Sequence, residues 1–324
     1  MKKIVVEQPG GSEQMKIVDA PVPEPGPKEA LVAIAFSGVN FIDVYFRTGL
    51  YKADPPITLG SEASGTVEKV GSEVTDVAPG DRVVYTMVRG SYAEYAVVPV
   101  AQLVKVPDRV DLATAAALML QGTTAHYLTH STFPLSHGST CLVHAAAGGT
   151  GGLIVQMAKH RGARVFGTVS TEEKAREVTD LGADEAIIYT QQDFETEVKR
   201  LTGGRGVDVV YDSVGKSTFD KSLNVIRPRG TMALFGQSSG SVAPVDPAVL
   251  NARGSLFLTR PNLAHHLLTR EELLWRVGDV MGFVASGVVK VRVSRVYPLS
   301  EAADAHRDLE SRKTSGKLLL QVRS

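Results

Sequence analysis

Ala146, Gly148 and Gly151, within His144-Ala-Ala-Ala-Gly-Gly-Thr-Gly, hold the three places of a G-x-G-x-x-G turn, with alanine standing for the first glycine. The chemistry such a turn can do is to bind phosphate with its backbone. The second glycine lets a pyrophosphate approach the main chain, and the third lets a helix pack closely on the strand before it. The helix N-terminus, opened here by Gly149 and Thr150, then offers unpaired N–H groups and a positive dipole end. Alone, the pattern reads equally as an ordinary flexible turn. Its context favours a dinucleotide site. Cys141-Leu-Val-His-Ala-Ala is an apolar run of the kind buried on both faces of a sheet, and Leu153, Val155, Gln156, Met157 and Lys159 follow at helical spacing to a stop at Gly162.

The next strand bears on which dinucleotide. Ala163-Arg-Val-Phe-Gly-Thr-Val reads as that strand, and an NAD site carries an Asp or Glu at its end for the ribose 2′-hydroxyl. Ser170 stands there instead, with Lys174 four residues on, in a helix that Ser170 and Glu173 are expected to open as a capping box. A hydroxyl, a helix N-terminus and an ammonium suit a 2′-phosphate, which a carboxylate at position 170 would repel. Glu172 and Glu173 count against this, although acids in a first helical turn are also ordinary partners of the dipole. The charge balance favours NADPH over NADH.

These residues need a scaffold, and composition bounds it. The chain of 324 residues is 43% hydrophobic, long enough for two domains with a core each. Lys plus Arg and Asp plus Glu both number 35, so no global field draws it to nucleic acid or to an anionic membrane. Its one cysteine, Cys141, excludes an internal disulfide and reads as buried filler. The longest apolar stretch, Leu112 to Leu120, is too short to span a bilayer, and Met1-Lys-Lys-Ile does not open an export signal; a soluble, cytoplasmic protein is expected.

From Lys2 to about Val106 short strands alternate with Pro-Gly breaks: Ile4-Val-Val, Met15-Lys-Ile-Val, Ala30-Leu-Val-Ala-Ile, Gly65-Thr-Val-Glu-Lys-Val, Asp81-Arg-Val-Val-Tyr and Tyr92-Ala-Glu-Tyr-Ala-Val-Val. An antiparallel barrel-like domain fits. The alanine-rich run from Leu112 to about His130 is helical and leads into the next domain. After the glycine turn, strands at Ala186-Ile-Ile-Tyr, Val207-Asp-Val-Val-Tyr-Asp, Thr231-Met-Ala-Leu-Phe and Ser255-Leu-Phe-Leu-Thr alternate with helices at Asp193 to Leu201 and Phe219 to Ile226. That is the pattern of a doubly wound parallel sheet. An amphipathic helix is expected over Leu267 to Ser286, and strands at Val288-Val-Lys-Val-Arg-Val and Lys317-Leu-Leu-Leu-Gln-Val that rejoin the first domain.

With these stretches in view, the chain resembles the zinc-free NADPH:quinone oxidoreductases, the zeta-crystallin-like group of the medium-chain dehydrogenase/reductase superfamily. The likeness rests on Gly38-Val-Asn-Phe-Ile-Asp, Gly49-Leu-Tyr, Gly60-Ser-Glu-Ala-Ser-Gly, the His144 to Gly151 turn, Tyr211-Asp-Ser-Val-Gly, Thr259-Arg-Pro and Ser315-Gly-Lys, and so runs nearly end to end. It implies an α/β architecture: a Rossmann doubly wound sheet over residues 122–264, and a GroES-like β-barrel catalytic domain from residues 1–121 and 265–324. It also implies NADPH as reductant, a cleft between the domains, and a homodimer formed through the Ser255–Thr259 edge strand. Zinc-dependent relatives place a cysteine ligand in the segment matching Phe36-Ser-Gly-Val-Asn and a histidine in that matching Gly60-Ser-Glu. Here the first has no cysteine and the second has Ser61, a poor zinc ligand, so no metal is expected. Without a Lewis acid the fitting acceptor is already electrophilic, a quinone or activated enone, to which nicotinamide C4 delivers hydride.

The resemblance places Asn40 at the active-site asparagine, presenting its amide to substrate or to the nicotinamide ribose; the plainer reading is a cap on the helix that follows. Tyr45 and Tyr51, on the same excursion, are placed to line the acceptor pocket with an apolar face and a hydroxyl donor, or simply to pack. Thr124 matches a cofactor-facing threonine and Tyr189 a residue packed at the adenine end. Ser213, Phe235, Gly236, Ser238 and Phe257 are expected at C-terminal strand ends, where doubly wound sheets bind ligands, and Arg312 within reach of the 2′-phosphate. Two other functions share these motifs. One is an NADPH-dependent enone or enoyl-thioester reductase, for which Arg47 and Lys52 would supply cations near the mouth. The other is a protein whose contact with RNA or a partner is regulated by NADPH, against which the zero net charge and the lack of aromatic–basic interleaving both weigh.

Overall fold

In the computed structural model, which describes residues 1–311 and 313–323, the chain divides into two compact units. Met1–Thr123 joins the chain from Leu267 onward in one, and Thr124–His266 forms the other. The boundary falls inside the alanine-rich Leu112–Tyr127 helix.

The second unit is organised on a six-stranded parallel sheet among the described residues. Its order is Glu185–Ile188, Arg164–Val169, Thr140–Val143, Val207–Asp212, Ile226–Leu234 and Phe257–Thr259. Chain order therefore reverses between Thr140–Val143 and Val207–Asp212, the doubly wound arrangement whose switch point lies beside the first strand. Every residue of those two central strands is buried, as a sheet covered on both faces requires. Leu142, Phe166, Val210 and Met232 pack there with Phe194, Val198, Phe219 and Leu223 from the helices. The Phe219–Leu223 helix stops short of the expected Ile226 because Ile226 pairs with Val207 and opens the next strand.

In the first unit, Glu29–Val39 is the central antiparallel strand. It pairs with Glu62–Val70, with Tyr95–Pro99 and with Lys317–Gln321, so the C-terminal strand does return to the N-terminal sheet. Ala30, Val32 and Ile34 lie at alternate positions along it and pack with Val67, Val83, Tyr85 and Val98. A second core gathers Ile4, Val6, Ile57, Tyr297, Leu318 and Leu320. The strand expected at 288–293 instead runs over Val293–Pro298. Gly287 (φ 76°) ends the Arg270–Ala285 helix, and the Val289 N–H then folds back onto the Phe283 carbonyl at 3.0 Å, which withholds it from a sheet.

Candidate active site

The glycine turn is a tight strand-to-helix reversal. The Thr140–Val143 strand leads through His144 and Ala145 (φ 51°) to the helix Gly149–His160, with Gly148 at its N-cap. A Cβ on Gly151 would lie 2.3 Å from the Ala145 carbonyl oxygen and 2.9 Å from the Ala146 Cα, so only glycine lets the helix pack here. A Cβ on Gly148 would meet only the Ala145 oxygen, at 3.1 Å, leaving that approach to the helix end open. Alanine at the first position is matched by its neighbour: a Cβ on Gly167 would come within 2.8 Å of the Ala146 methyl, and none is there. Gly149, Thr150 and Gly151 begin the helix, where backbone N–H groups have no intrahelical acceptor.

His144 braces this turn from below. Ser222 Oγ donates to the Thr218 carbonyl (2.8 Å), so it accepts from His144 Nε2–H at 2.9 Å. Nδ1 is then the acceptor for Thr168 Oγ–H at 3.0 Å, and Thr168 Oγ in turn accepts the Ala145 N–H at 3.3 Å. Burial holds the imidazole below its ordinary pKa, which keeps this neutral tautomer in place.

Ser170 follows Arg164–Val169 and is half-buried, and its carbonyl accepts Thr190 Oγ–H at 2.9 Å. It does not cap the next helix. That helix, Glu172–Asp180, is capped by Thr171, whose extended backbone lets its hydroxyl accept the Lys174 N–H at 3.3 Å; with Lys174 at the third helical position the expected capping box does not form. Lys174 is half-buried, and burial pushes its ammonium below the ordinary range against the pull of Glu177 and Glu173. Tyr189, 48% exposed, lies beside Ser170, since its N–H donates to the Val169 carbonyl at 3.0 Å. Phe235, Gly236 and Ser238 cluster with Ser213 at the same end of the sheet: the Phe235 N–H reaches the Asp212 carbonyl at 2.9 Å and the Ser238 N–H the Ser213 carbonyl at 3.1 Å. Thr124 is buried on the Leu112–Tyr127 helix. Phe257 does not belong with them. It is the first residue of Phe257–Thr259, paired with Thr231 and 63% exposed, so it lies away from the carboxyl ends of the strands. Arg312 lies outside the described residues. A helix N-terminus with open N–H groups, and a cation beyond the second strand, fit a dinucleotide with a 2′-phosphate.

The first unit holds a buried polar cluster around Asn40, which stands at the start of the Phe41–Arg47 helix. Its backbone N–H donates to Asp43 Oδ2 at 3.1 Å, so the capping reading has structural support. Its amide is not presented outward. Nδ2 donates to Glu62 Oε1 at 2.6 Å and to the Gly38 carbonyl at 3.4 Å, while Oδ1 accepts from Lys317 Nζ at 2.7 Å and from Gln121 Nε2 at 3.3 Å. Lys317 and Glu62, 1% and 0% exposed, form an ion pair at 2.5 Å. Asp43 accepts the hydroxyls of Ser61 (2.8 Å) and Tyr92 (3.3 Å), and burial raises its pKa to about 7 although Ser61 and Lys317 pull it down.

This geometry answers the question of a metal through its donor set. Ser61 is spent on Asp43, Asn40 on Glu62 and Lys317, and an ammonium already occupies the middle of the cluster. A second cation would meet that charge in a low-dielectric site, so the residues present do not fit a zinc ion.

Tyr45 is buried and Tyr51 half-buried, and their rings meet at 5.2 Å with Phe46 edge-on to Tyr51 at 5.7 Å. Arg47 corrects an expectation. It is 2% exposed and forks onto Glu310 at 2.9 and 2.8 Å, so it is no cation at a mouth. Sequence reasoning assigned no chemistry to Glu62, Lys317 or Gln121. The signal was a charged residue opening the apolar run Lys317-Leu-Leu-Leu, which only a buried partner makes tolerable.

A doubly wound parallel sheet with a glycine turn at a helix N-terminus, together with an antiparallel unit, is the architecture of a nucleotide-dependent oxidoreductase of the medium-chain kind. Residues 26–108 match the alcohol dehydrogenase GroES-like domain and residues 181–320 the family described as zinc-binding dehydrogenase. The chain is 43% identical over 321 residues to a quinone oxidoreductase of Pseudomonas aeruginosa, covering 98% of this chain and 99% of that one. It is also 43% identical to a 2-haloacrylate reductase of Burkholderia, covering 98% and 97%. The crystal structure of Escherichia coli quinone oxidoreductase complexed with NADPH superposes with a TM-score of 0.98 at 40% identity, over 99% of this chain and 100% of that one. The chain belongs to the quinone oxidoreductase family of the medium-chain dehydrogenases/reductases.

Proposed function

We propose that this protein reduces quinones with NADPH, without zinc or flavin. NADPH, when bound, supplies a hydride from the nicotinamide C4. The observation that carries the reading is the Lys317 ammonium seated between Asn40 and Glu62. With that cation fixed in the cluster, no Lewis acid polarises an acceptor there, so the acceptor must bring its own electrophilicity, as a quinone does. The turn at Gly148–Gly151 binds the pyrophosphate, while Ser170 and Lys174 select the 2′-phosphate. Tyr189 flanks the adenine end, and Ser213, Phe235, Gly236, Ser238 and Thr124 line the remaining cofactor path. Tyr45 and Tyr51 offer the acceptor an aromatic wall, with the Tyr51 hydroxyl as hydrogen-bond help. Asn40 acts by holding Glu62 and Lys317 in register. Electron-poor alkenes are the second reading, favoured by the similarity to a 2-haloacrylate reductase.

Asn40→Ala and Tyr51→Phe are expected to lose about tenfold in turnover each, or ~1.4 kcal/mol. The Tyr51 loss should grow from quinones to enones and enoyl-thioesters, which are weaker electrophiles. NADPH affinity should stay put for Tyr51→Phe and fall modestly for Asn40→Ala. Rates across that acceptor panel, with cofactor binding measured alongside, test the assignment; wild-type turnover of every acceptor by both variants would move the acceptor site elsewhere.

The exposed edge at Phe257–Thr259, with Phe257 63% exposed, supports a homodimer formed by pairing that strand with a second copy. Phe257→Asp should then sediment as a monomer, and a dimeric variant would refute the pairing.

A further inference from the structure

Gln121 is the member of the Asn40 cluster whose hydrogen bonding is left open. It sits in the Leu112–Tyr127 helix with 9% of its surface exposed. Two contacts fix it. The preceding residue, Leu120, donates its backbone N–H to Glu62 Oε2 at 2.6 Å, which ties this turn of helix to the buried carboxylate. Its own Nε2 donates to Asn40 Oδ1 at 3.3 Å. That bond also assigns the amide, because turning it over would set two oxygens against each other. What remains is Oε1, buried and without a partner among the described residues. The large majority of buried side-chain polar atoms in folded proteins have a partner, so an orphan acceptor beside this cluster asks for a donor that arrives from outside.

We propose that Gln121 Oε1 accepts a hydrogen bond from a ligand hydroxyl, carried either by the nicotinamide ribose or by the hydroquinone product. This rests on the reading that the Asn40 cluster serves the acceptor site. A quinone has only acceptor oxygens and gains nothing from Gln121. Reduction changes that: quinone, NADPH and one proton give hydroquinone and oxidised cofactor, and the product carries O–H donors. An acceptor placed here therefore favours the reduced side of the reaction, or else orients the ribose, and the two sources separate experimentally.

The test uses Gln121→Met and Gln121→Leu, which delete the oxygen in two shapes, so that a packing defect of one is not mistaken for the missing acceptor. Gln121→Glu keeps an acceptor at that position and loses the N–H. NADPH affinity is read from nicotinamide fluorescence in the absence of acceptor, and hydroquinone affinity from product inhibition. In the apolar variants one of these affinities should weaken about tenfold, ~1.4 kcal/mol, while Gln121→Glu holds it. Loss of NADPH affinity assigns the ribose; loss of hydroquinone affinity assigns the product. Both affinities within twofold of wild type would overturn the proposal, as would equal losses in Gln121→Glu and Gln121→Met, which would trace the effect to the Asn40 contact. Unchanged affinities beside an impaired Asn40→Ala would sink this inference alone, whereas wild-type behaviour of Asn40→Ala would sink the acceptor-site reading beneath it.

Discussion

Replacing Lys317 by methionine is expected to destabilise the protein by about 3–5 kcal/mol, the range for breaking a buried ion pair from one side. The cause is the group left behind. Glu62 is fully buried, and its Oε1 would keep only the Asn40 amide while Oε2 keeps the Leu120 N–H. Two donors do not replace an ammonium for a carboxylate in a low-dielectric core, so Glu62 is left as an uncompensated buried charge. Asn40 Oδ1 loses a donor in the same step. The double variant Lys317→Met with Glu62→Gln removes both charges and should recover most of the loss, because it leaves no ion unpaired. Thermal and denaturant unfolding of the wild type and these two variants checks this. Two units need not unfold together, so the transition to follow is the one that the Lys317 variant displaces. A single variant as stable as wild type would show that the pair contributes no more than a surface contact, and would contradict the description of the cluster as buried and interlocked.

The second large effect falls on the cofactor. Lys174→Ala should weaken NADPH binding by about 1–3 kcal/mol, the worth of one charge-assisted contact, and leave NADH nearly unchanged. Lys174 stands in the first turn of the Glu172–Asp180 helix, half-buried, immediately beyond the strand that ends at Val169. Its depressed pKa means that burial already strains the ammonium, and a bound phosphate dianion would relieve that strain. Glu172 and Glu173 flank it without rescuing NADH, since neither occupies the strand-end position from which a carboxylate meets the ribose. Titration of both cofactors against the variant decides the matter; equal losses would remove Lys174 from the 2′-phosphate site.

What could be read from the chain alone follows from how local the physics is. The Thr140–Gly162 strand, turn and helix were legible because a buried parallel strand, close-packing glycines and a helix-ending Gly162 each leave their own mark within a few residues. Capping is finer grained. Ser170 and Thr171 are both good cap residues, and it is the Thr171 hydroxyl that takes the Lys174 N–H. Phe257 was misjudged because strand ends are set by pairing with Thr231–Ala233, which no local pattern reveals. The Asn40 cluster is the clearest limit. Asn40, Glu62, Gln121 and Lys317 come from four separate stretches, and their meeting depends on Leu318 pairing with Val39 and Ala63 with Ser37. The residues were visible as fragments of motifs, but their partners were not. Arg47 shows the same limit: an apparently free cation proved to be a buried clamp on Glu310 across 263 residues of chain.

Hydride transfer itself is tested by a single-turnover reaction of the protein with NADPH, deuterated or not at the transferred C4 position, and a simple benzoquinone. Oxidation of one cofactor per quinone, slowed severalfold by deuterium and much weaker with NADH, is the predicted result. NADPH that binds but is not oxidised above the uncatalysed rate, with any quinone or electron-poor alkene, would contradict it and leave a nucleotide-binding protein without hydride transfer.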